Sequence, residues 1–288
     1  MNWKKYFTTL LISTASLLVL VMFIGGLYIY FGNIGGGIEL AELDRATPNG
    51  TKNVLVLGTD EGGLRSDVIM IFSVNQKKGT INLVSIPRDT KVYVNGNAMK
   101  INAALAVGGE KLTIQKVKGI AGIPIHDYVT FNFNAVKDIV DALDGVEFDV
   151  PQNMNYEDPE QNLYIHLKKG KQVLNGEKAI QLLRFRSYAM ADIQRNSVQQ
   201  EFVKAIFEQK ANMSYFTKIP SVYSIVNENI VSSMSLSDIT KYATMLGKME
   251  NPQFESFEMP YTLSDPYVLV KQPETEQLFN TYFKDNEE

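Results

Sequence analysis

Between Tyr6 and Phe31 the chain carries no charged residue, and Leu10–Ile12, Leu17–Ile24 and Leu27–Phe31 within that run are almost wholly apolar. A helix rises about 1.5 Å per residue and the bilayer hydrocarbon is about 30 Å thick, so about 20 such residues suffice to cross it. The run therefore predicts a transmembrane helix over residues 6–31, with residues 1–5 as a cytoplasmic tail. Lys4 and Lys5 precede it, whereas Glu39, Glu42 and Asp44 follow. Lysine and arginine mark the cytoplasmic side, which puts the N-terminus inside and the rest of the chain outside. Tyr28 and Tyr30 suit the outer interface. A cleaved export signal also combines a basic start with an apolar stretch, but that stretch is typically about 7–15 residues long and ends at an A-x-A-like site. Here the run is longer and no such site follows, and both readings export what comes next.

Residues 32–52 contain Gly35-Gly36-Gly37, Pro48 and Asn49-Gly50, a spacer ending in a turn. Residues 53–288 show no repeat or low-complexity block and are long enough for one domain. With 45% hydrophobic and 21% charged residues the chain can bury a core. Its net charge of -4 gives no general attraction to nucleic acid, so any anion site must be built locally. The absence of cysteine means that no disulfide supports the fold.

Val54–Leu57 is a continuous apolar run, expected of a strand buried on both faces. Val68–Val74 and Ile81–Ile86, joined by the polar turn Asn75–Gly79, predict a β-hairpin. Helices are expected over Ala98–Val107, stopped by Gly108-Gly109, and over Lys111–Ile120. Tyr128–Phe133 alternates as a strand and leads to a helix over Ala135–Leu143 ending at Gly145. Further strands are expected at Val146–Val150, Leu163–Leu167, Phe254–Met259 and Tyr267–Val270. Asn175 is placed to cap a helix that ends just before Arg184. A long amphipathic helix from Ile193 to Lys210 carries Val198, Phe202 and Ile206 on one stripe. Helices over 217–226 and 237–249 and a terminal helix from Pro273 complete the expectation: an α/β/α layered mixed sheet flanked by helices.

Because the two strands of the hairpin are antiparallel, the end of the second returns to the start of the first. Asp60, Arg65, Asp67, Arg88 and Asp89 therefore converge at one rim of the sheet. Carboxylates and guanidiniums together suit phosphoryl chemistry: Mg²⁺ takes one or two carboxylates plus phosphate oxygens, and arginine forks bind phosphate bidentately. The plainer reading is that Asp60 and Asp67 cap turns and Arg88 pairs with them at the surface.

A second cluster comprises Arg184, Phe185 and Arg186, followed by Asp192, Arg195 and Gln199. In extended chain Arg184 and Arg186 share a side while Phe185 turns to the core. Arg195 and Gln199 lie one helical turn apart on one face, near a helix N-terminus where anions are favoured. These three arginines converging with Arg88 would imply a polyanionic ligand; two ordinary solvent-facing charges at Arg184 and Arg186 are the alternative. His126 and His166, the only histidines, lie in no metal-ligand spacing and are expected to be structural. There is no G-x-S-x-G, S-x-x-K, P-loop or G-x-G-x-x-G, which argues against serine acyl enzymes and those nucleotide sites.

The ordered set GTD (Gly58–Asp60), RSD (Arg65–Asp67), SIPRD (Ser85–Asp89), KINAALAVGG (Lys100–Gly109), IPIHDYVTFNF (Ile123–Phe133), DALDGVEFDVP (Asp141–Pro151), LNGEKAIQLLRFR (Leu174–Arg186) and DIQR (Asp192–Arg195) resembles the LytR-CpsA-Psr family over about residues 53–210. The resemblance implies an α/β/α domain that binds a polyprenyl phosphate or pyrophosphate with the aid of Mg²⁺ (or Mn²⁺). The implied reaction moves a teichoic acid, capsule or similar glycopolymer from undecaprenyl pyrophosphate to a peptidoglycan hydroxyl, forming a phosphodiester. By matching motif, Asp60 and Asp67 would hold the metal. Arg88, Arg184, Arg186 and Arg195 would bind the pyrophosphate with Gln199, supported by Arg65 and Asp89. Asp67 and Asp89 are candidates to accept the hydroxyl proton. Two departures stand out: the loop between Asp60 and Asp67 looks shorter than the family's usual one, and Val198 stands where the family commonly has arginine. A scaffold that binds polyprenyl phosphate or wall glycan without turnover is the alternative.

Overall fold

The computed structural model describes residues 43–44, 50–59, 63–159, 163–188, 191–210, 230–234, 249 and 252–285. The expected transmembrane helix, Asp60, and all but Met249 of the helices expected over 217–226 and 237–249 lie outside these residues. Among the described residues no helix is long and apolar enough to cross a membrane.

In chain order the elements are β1 (Lys52–Thr59), β2 (Ser66–Asn75), β3 (Thr80–Ser85), β4 (Lys91–Val94), β5 (Asn97–Lys100), α1 (Ala104–Ala121), β6 (Asp127–Asn132), α2 (Phe133–Ala142), β7 (Val146–Val150), β8 (Met154–Asp158), β9 (Leu163–Leu167), β10 (Gly170–Leu174), α3 (Gly176–Arg184), α4 (Ala191–Lys210), β11 (Ile230–Ser232), β12 (Gln253–Glu258), β13 (Tyr261–Ser264), β14 (Tyr267–Val270) and α5 (Gln272–Tyr282). They fall into two compact units. One holds the described residues of 43–132, 230–234 and 249–285, the other those of 133–210.

The first unit is built on a six-stranded sheet ordered β11-β6-β1-β2-β3-β12. β1 pairs antiparallel with β2 and β2 with β3, as the hairpin signal requires. β1 pairs parallel with β6, a connection that needs a crossover, and the chain makes it through α1. Leu55 stands opposite Ile71, and Ile71 opposite Val84. This row packs with Ile114 and Val117 of α1 and Phe279 of α5 to form the core. The alternate residues Val54, Phe72 and Leu83 are buried as well, which is why the sequence reads as unbroken apolar runs rather than alternation.

Asn53 and His126 stitch the start of β1 to the loop before β6. The Asn53 backbone N–H donates to His126 Nδ1 at 2.9 Å. The His126 N–H donates in turn to the Asn53 carbonyl at 2.9 Å. The Asn53 side chain donates to the carbonyls of Pro124 at 2.9 Å and Phe283 at 3.0 Å, tying in the C-terminal helix. Burial, reinforced by nearby Lys52, pushes His126 down to about 4, so it stays neutral and its Nδ1 can accept.

The second unit consists of two antiparallel strand pairs, β7 with β10 and β8 with β9, packed with α2, α3 and α4. Phe148 and Phe202 meet edge-on with ring centroids 5.6 Å apart at its centre. Asn175 caps α3 as expected, its side-chain oxygen accepting from the Lys178 N–H at 3.0 Å.

The chain departs from expectation between 91 and 107. Ala98–Lys100 is not helical: it belongs to β5, paired with β4 across Asn95 and Gly96, whose φ values are +50° and +80°. Such a turn matches strand twist, and Asn-Gly supplies it at little steric cost. Helical backbone begins with a 3-10 turn at Ile101–Ala103 that runs into α1 at Ala104, and the expected break survives as non-helical backbone at Gly108 and Gly109 inside α1. β8, β10, β11 and β13 are further strands not anticipated from the sequence.

Candidate functional site

In the first unit the candidate residues gather where β1 ends. The β1–β2 register shifts between Gly58 and Thr59. A Cβ at position 58 would lie 2.9 Å from the Val68 Cβ, so only glycine allows this close approach. Ser66 is buried at the start of β2 and Asp67 follows it. The hairpin carries the Ile86 N–H to the Ile69 carbonyl at 2.9 Å. Two residues later Arg88 Nη1 reaches Asp67 Oδ1, also at 2.9 Å. This charge-assisted bond is largely shielded but open to solvent, the side chains being 21% and 17% exposed.

The segment bearing Arg88 is held by its backbone on several sides. The Thr90 N–H donates to the Pro87 carbonyl at 3.0 Å, the Asn102 N–H to the Arg88 carbonyl at 3.1 Å, and the Val268 N–H to the Asp89 carbonyl at 2.9 Å. Asp89 turns to Lys100, its Oδ1 3.1 Å from Lys100 Nζ. Lys100 thus joins the cluster without having been singled out from the sequence. Its position depends on the β4–β5 hairpin, and the Asn95-Gly96 pair is the signal that would have revealed it. Arg65 is exposed, and Asp60 lies outside the described residues.

In the second unit α3 includes Arg184 as its last residue, one position beyond the expected end. The chain leaves the helix at Phe185, whose φ of -64° and ψ of 130° are extended and whose N–H still donates to the Gln181 carbonyl. Phe185 turns into the core as expected, where it is buried in the same cluster as Leu182 and Phe202. It meets Tyr188 edge-on at 4.8 Å. Arg186 is exposed, while the Arg184 guanidinium lies 5.6 Å from the centre of the Phe133 ring, a cation–π distance.

Arg195 and Gln199 of α4 are 5% and 6% exposed. Gln199 Nε2 donates to the Leu183 carbonyl at 3.2 Å, satisfying one of the carbonyls left over at the end of α3. The guanidinium of Arg195 is near enough to Tyr188 for its charge to act on the phenol. The Arg195/Gln199 face of α4 therefore lies against the 183–188 segment that carries Arg184 and Arg186. Val198 is buried in the apolar core beside Phe202, so its side chain contributes to packing.

Among the described residues no group of three or more His, Cys, Asp or Glu side chains is arranged to hold a metal ion. Mg²⁺ does not need one, since it binds through one or two carboxylates together with water and substrate phosphate oxygens. Asp67, partly exposed and hard in its oxygen chemistry, fits that demand.

The sequence signature of the LytR_cpsA_psr family matches residues 37–284. The chain belongs to the LytR_cpsA_psr family. It is 32% identical over 180 residues to the polyisoprenyl-teichoic acid--peptidoglycan teichoic acid transferase TagV of Bacillus subtilis, a match covering 60% of this chain and 46% of TagV. Against TagU of Bacillus mycoides, which bears the same functional name, identity is 31% over 205 residues, covering 69% of this chain and 64% of TagU. The chain thus spans less than two thirds of the length of these curated relatives. Among solved structures, that of B. subtilis TagV aligns with a TM-score of 0.68 at 24% identity, covering 82% of this chain and 98% of that one. The structure of TagT bound to LI-WTA aligns with a TM-score of 0.66 at 25% identity, covering 84% and 95%. This LytR_cpsA_psr protein accordingly has the mixed α/β fold of its relatives, with a central mixed sheet and helices.

Proposed function

We propose that this protein is a membrane-anchored phosphotransferase that moves a teichoic acid, capsule or similar glycopolymer from undecaprenyl pyrophosphate to a peptidoglycan hydroxyl. Residues 6–31 are the anchor, with the N-terminus in the cytoplasm and the catalytic domain outside. The observation that carries the reading is that the Arg195/Gln199 face of α4 lies on the segment bearing Arg184 and Arg186, with Gln199 bonded to the Leu183 carbonyl. Guanidiniums on adjoining segments suit a polyanion, whose oxygens arginine forks bind bidentately. The names of the family relatives, transferases that act on polyisoprenyl-linked teichoic acid, support the choice of anion.

In this reading Arg184, Arg186 and Arg195 bind the pyrophosphate with Gln199, and Arg88 and Arg65 contribute further guanidiniums. Asp67 and Asp60 hold Mg²⁺ (or Mn²⁺), which when bound offsets phosphate charge. The acceptor hydroxyl oxygen attacks the phosphorus on the glycopolymer side. A new P–O bond forms, the P–O bond to the bridging oxygen breaks, and undecaprenyl phosphate leaves. The hydroxyl proton passes to a carboxylate, Asp67 or Asp89. The protein's part is positioning and charge compensation rather than covalent chemistry.

Arg186→Ala tests this directly. Because Arg186 is exposed, the variant is expected to unfold at the wild-type temperature. Transfer from a lipid-linked donor to peptidoglycan should fall by about 100-fold or more, since one fork on the migrating charge is lost. Undiminished transfer rejects the assignment. The scaffold alternative draws on Val198, which packs in the core and adds no cation. Wild-type protein that binds undecaprenyl phosphate but transfers nothing in the presence of Mg²⁺ would identify it.

A further inference from the structure

The β4–β5 and β13–β14 hairpins have no part in the reaction as written, yet they close on each other beside Asp89. Thr90 bridges Val268 in parallel, and the Val268 N–H donates to the Asp89 carbonyl at 2.9 Å. Val92 and Val268 turn inward, so the alternate residues Lys91, Tyr93 and Lys100 share the outer face with Tyr267. Lys91 Nζ stands 5.3 Å from the ring centres of both Tyr93 and Tyr267, which ties the two hairpins together. The Tyr267 hydroxyl donates to the Ala98 carbonyl at 3.4 Å, drawing its ring over the β4–β5 hairpin. Tyr93, though held by Lys91, is 57% exposed. The chemistry of this face selects its occupant. Its lysines are engaged, Lys91 with the rings and Lys100 with Asp89 Oδ1 at 3.1 Å, and neither hairpin contains an arginine, so the face is poorly equipped for a polyanion. A bilayer would need contiguous apolar surface, but Leu269 stands opposite Thr262 and Tyr267 opposite Ser264. Phenol rings among hydroxyls suit a sugar ring, whose C–H bonds present partial positive charge to the negative face of the aromatic while its hydroxyls bond at the edge.

We infer that this face is the subsite for the acceptor glycan, with Tyr93 stacking on a sugar ring of the peptidoglycan strand and Asp89 at the end where the reacting hydroxyl lies. The inference rests on the phosphotransferase reading and adds to it the place where the acceptor binds. At about 3.3 Å per residue no more than about 13 Å of chain separates Tyr93 from Asp89, so a strand seated on the ring brings another of its sugars to the carboxylate. Lys91 already restrains the ring, and little side-chain freedom remains to be lost on binding.

The test uses the full chain in detergent micelles and three separate probes: peptidoglycan freed of attached polymer, undecaprenyl phosphate and inorganic polyphosphate. Tyr93→Ala should weaken binding to peptidoglycan by about fivefold or more, as for truncation of an aromatic anchor, and raise the acceptor concentration needed for half-maximal transfer by the same factor. Its unfolding temperature should match the wild type, because the side chain is largely exposed. Tyr93→Phe keeps the ring and should bind peptidoglycan within about twofold of the wild type. Unchanged peptidoglycan binding by Tyr93→Ala overturns the inference, and so does a loss in Tyr93→Phe as large as that in Tyr93→Ala. A loss confined to undecaprenyl phosphate or to polyphosphate also overturns it, since the face would then belong to the lipid or to a polyanion. Arg186→Ala run in parallel separates the two levels. If it abolishes transfer while Tyr93→Ala binds peptidoglycan like the wild type, only the glycan subsite fails. If Arg186→Ala transfers as well as the wild type, or the wild type transfers nothing, the phosphotransferase reading fails, and the inference, which places the acceptor of that reaction, falls with it.

Discussion

Lowering the pH from 8 to 5 is expected to remove about 2 kcal/mol of folding stability through His126 alone. The imidazole is 8% exposed, and its Nδ1 accepts the Asn53 N–H, so the folded state requires the neutral ring. Burial, then Lys52, hold it near 4, against the partial opposition of Asp44 and Asp285; the ordinary value is 6.5. Between those two values the unfolded chain takes up a proton that the folded chain refuses. The stabilisation is therefore complete above about 6.5, declines as the pH falls, and is exhausted below about 4. A gap of about 2.5 pH units at about 1.4 kcal/mol each sets a ceiling near 3.5 kcal/mol, of which about 2 is lost by pH 5. Urea unfolding of the full chain in detergent, followed by circular dichroism, measures this. Carboxylates titrate in the same range, so the informative quantity is the difference between wild type and His126→Gln. The variant should be less stable at pH 8, and the gap should narrow by about 2 kcal/mol at pH 5. Parallel curves would refute the reasoning, since they would mean that His126 titrates alike in both states.

Two further outcomes follow from the rim of the first unit. Gly58→Ala places a Cβ 2.9 Å from that of Val68 and should lower stability by about 1–3 kcal/mol, read as a lower urea midpoint at constant slope. Asp67→Asn removes the charge that meets Arg88 and, on the proposed function, the carboxylate that would hold Mg²⁺; transfer should then fall by about 100-fold with a weakened response to added Mg²⁺, and an unchanged Mg²⁺ titration would remove Asp67 from the proposed metal site.

The Asp67–Arg88 pair was legible in the sequence because two apolar runs and a short polar turn leave the chain little choice but a hairpin, and a hairpin returns one end to the other. Phe185 was legible for a similar reason: one aromatic between two arginines can face only one way in extended chain. Lys100 was not, because a four-residue strand carries too little periodicity to be told from the start of a helix, and the apolar spacing from Ala98 onward fits both. The meeting of Tyr267 with Lys91 has no sequence signal at all, since it depends on which distant strand arrives beside β4.

α4 shows how the two kinds of information meet. Its apolar stripe of Val198, Phe202 and Ile206 and its polar pair of Arg195 and Gln199 are both visible in the sequence, and on an isolated amphipathic helix the pair would face solvent. In the folded chain Arg195 and Gln199 are nearly as buried as Val198. Gln199 justifies its position by bonding to the end of α3, so its burial helps the fold. Arg195 carries a full charge into the same buried face, where desolvation makes it depend on polar or charged groups around it more than Gln199 does. On the proposed function, Arg195 and Gln199 mark the side of α4 that would meet the anion, because that side faces the 183–188 segment carrying Arg184 and Arg186.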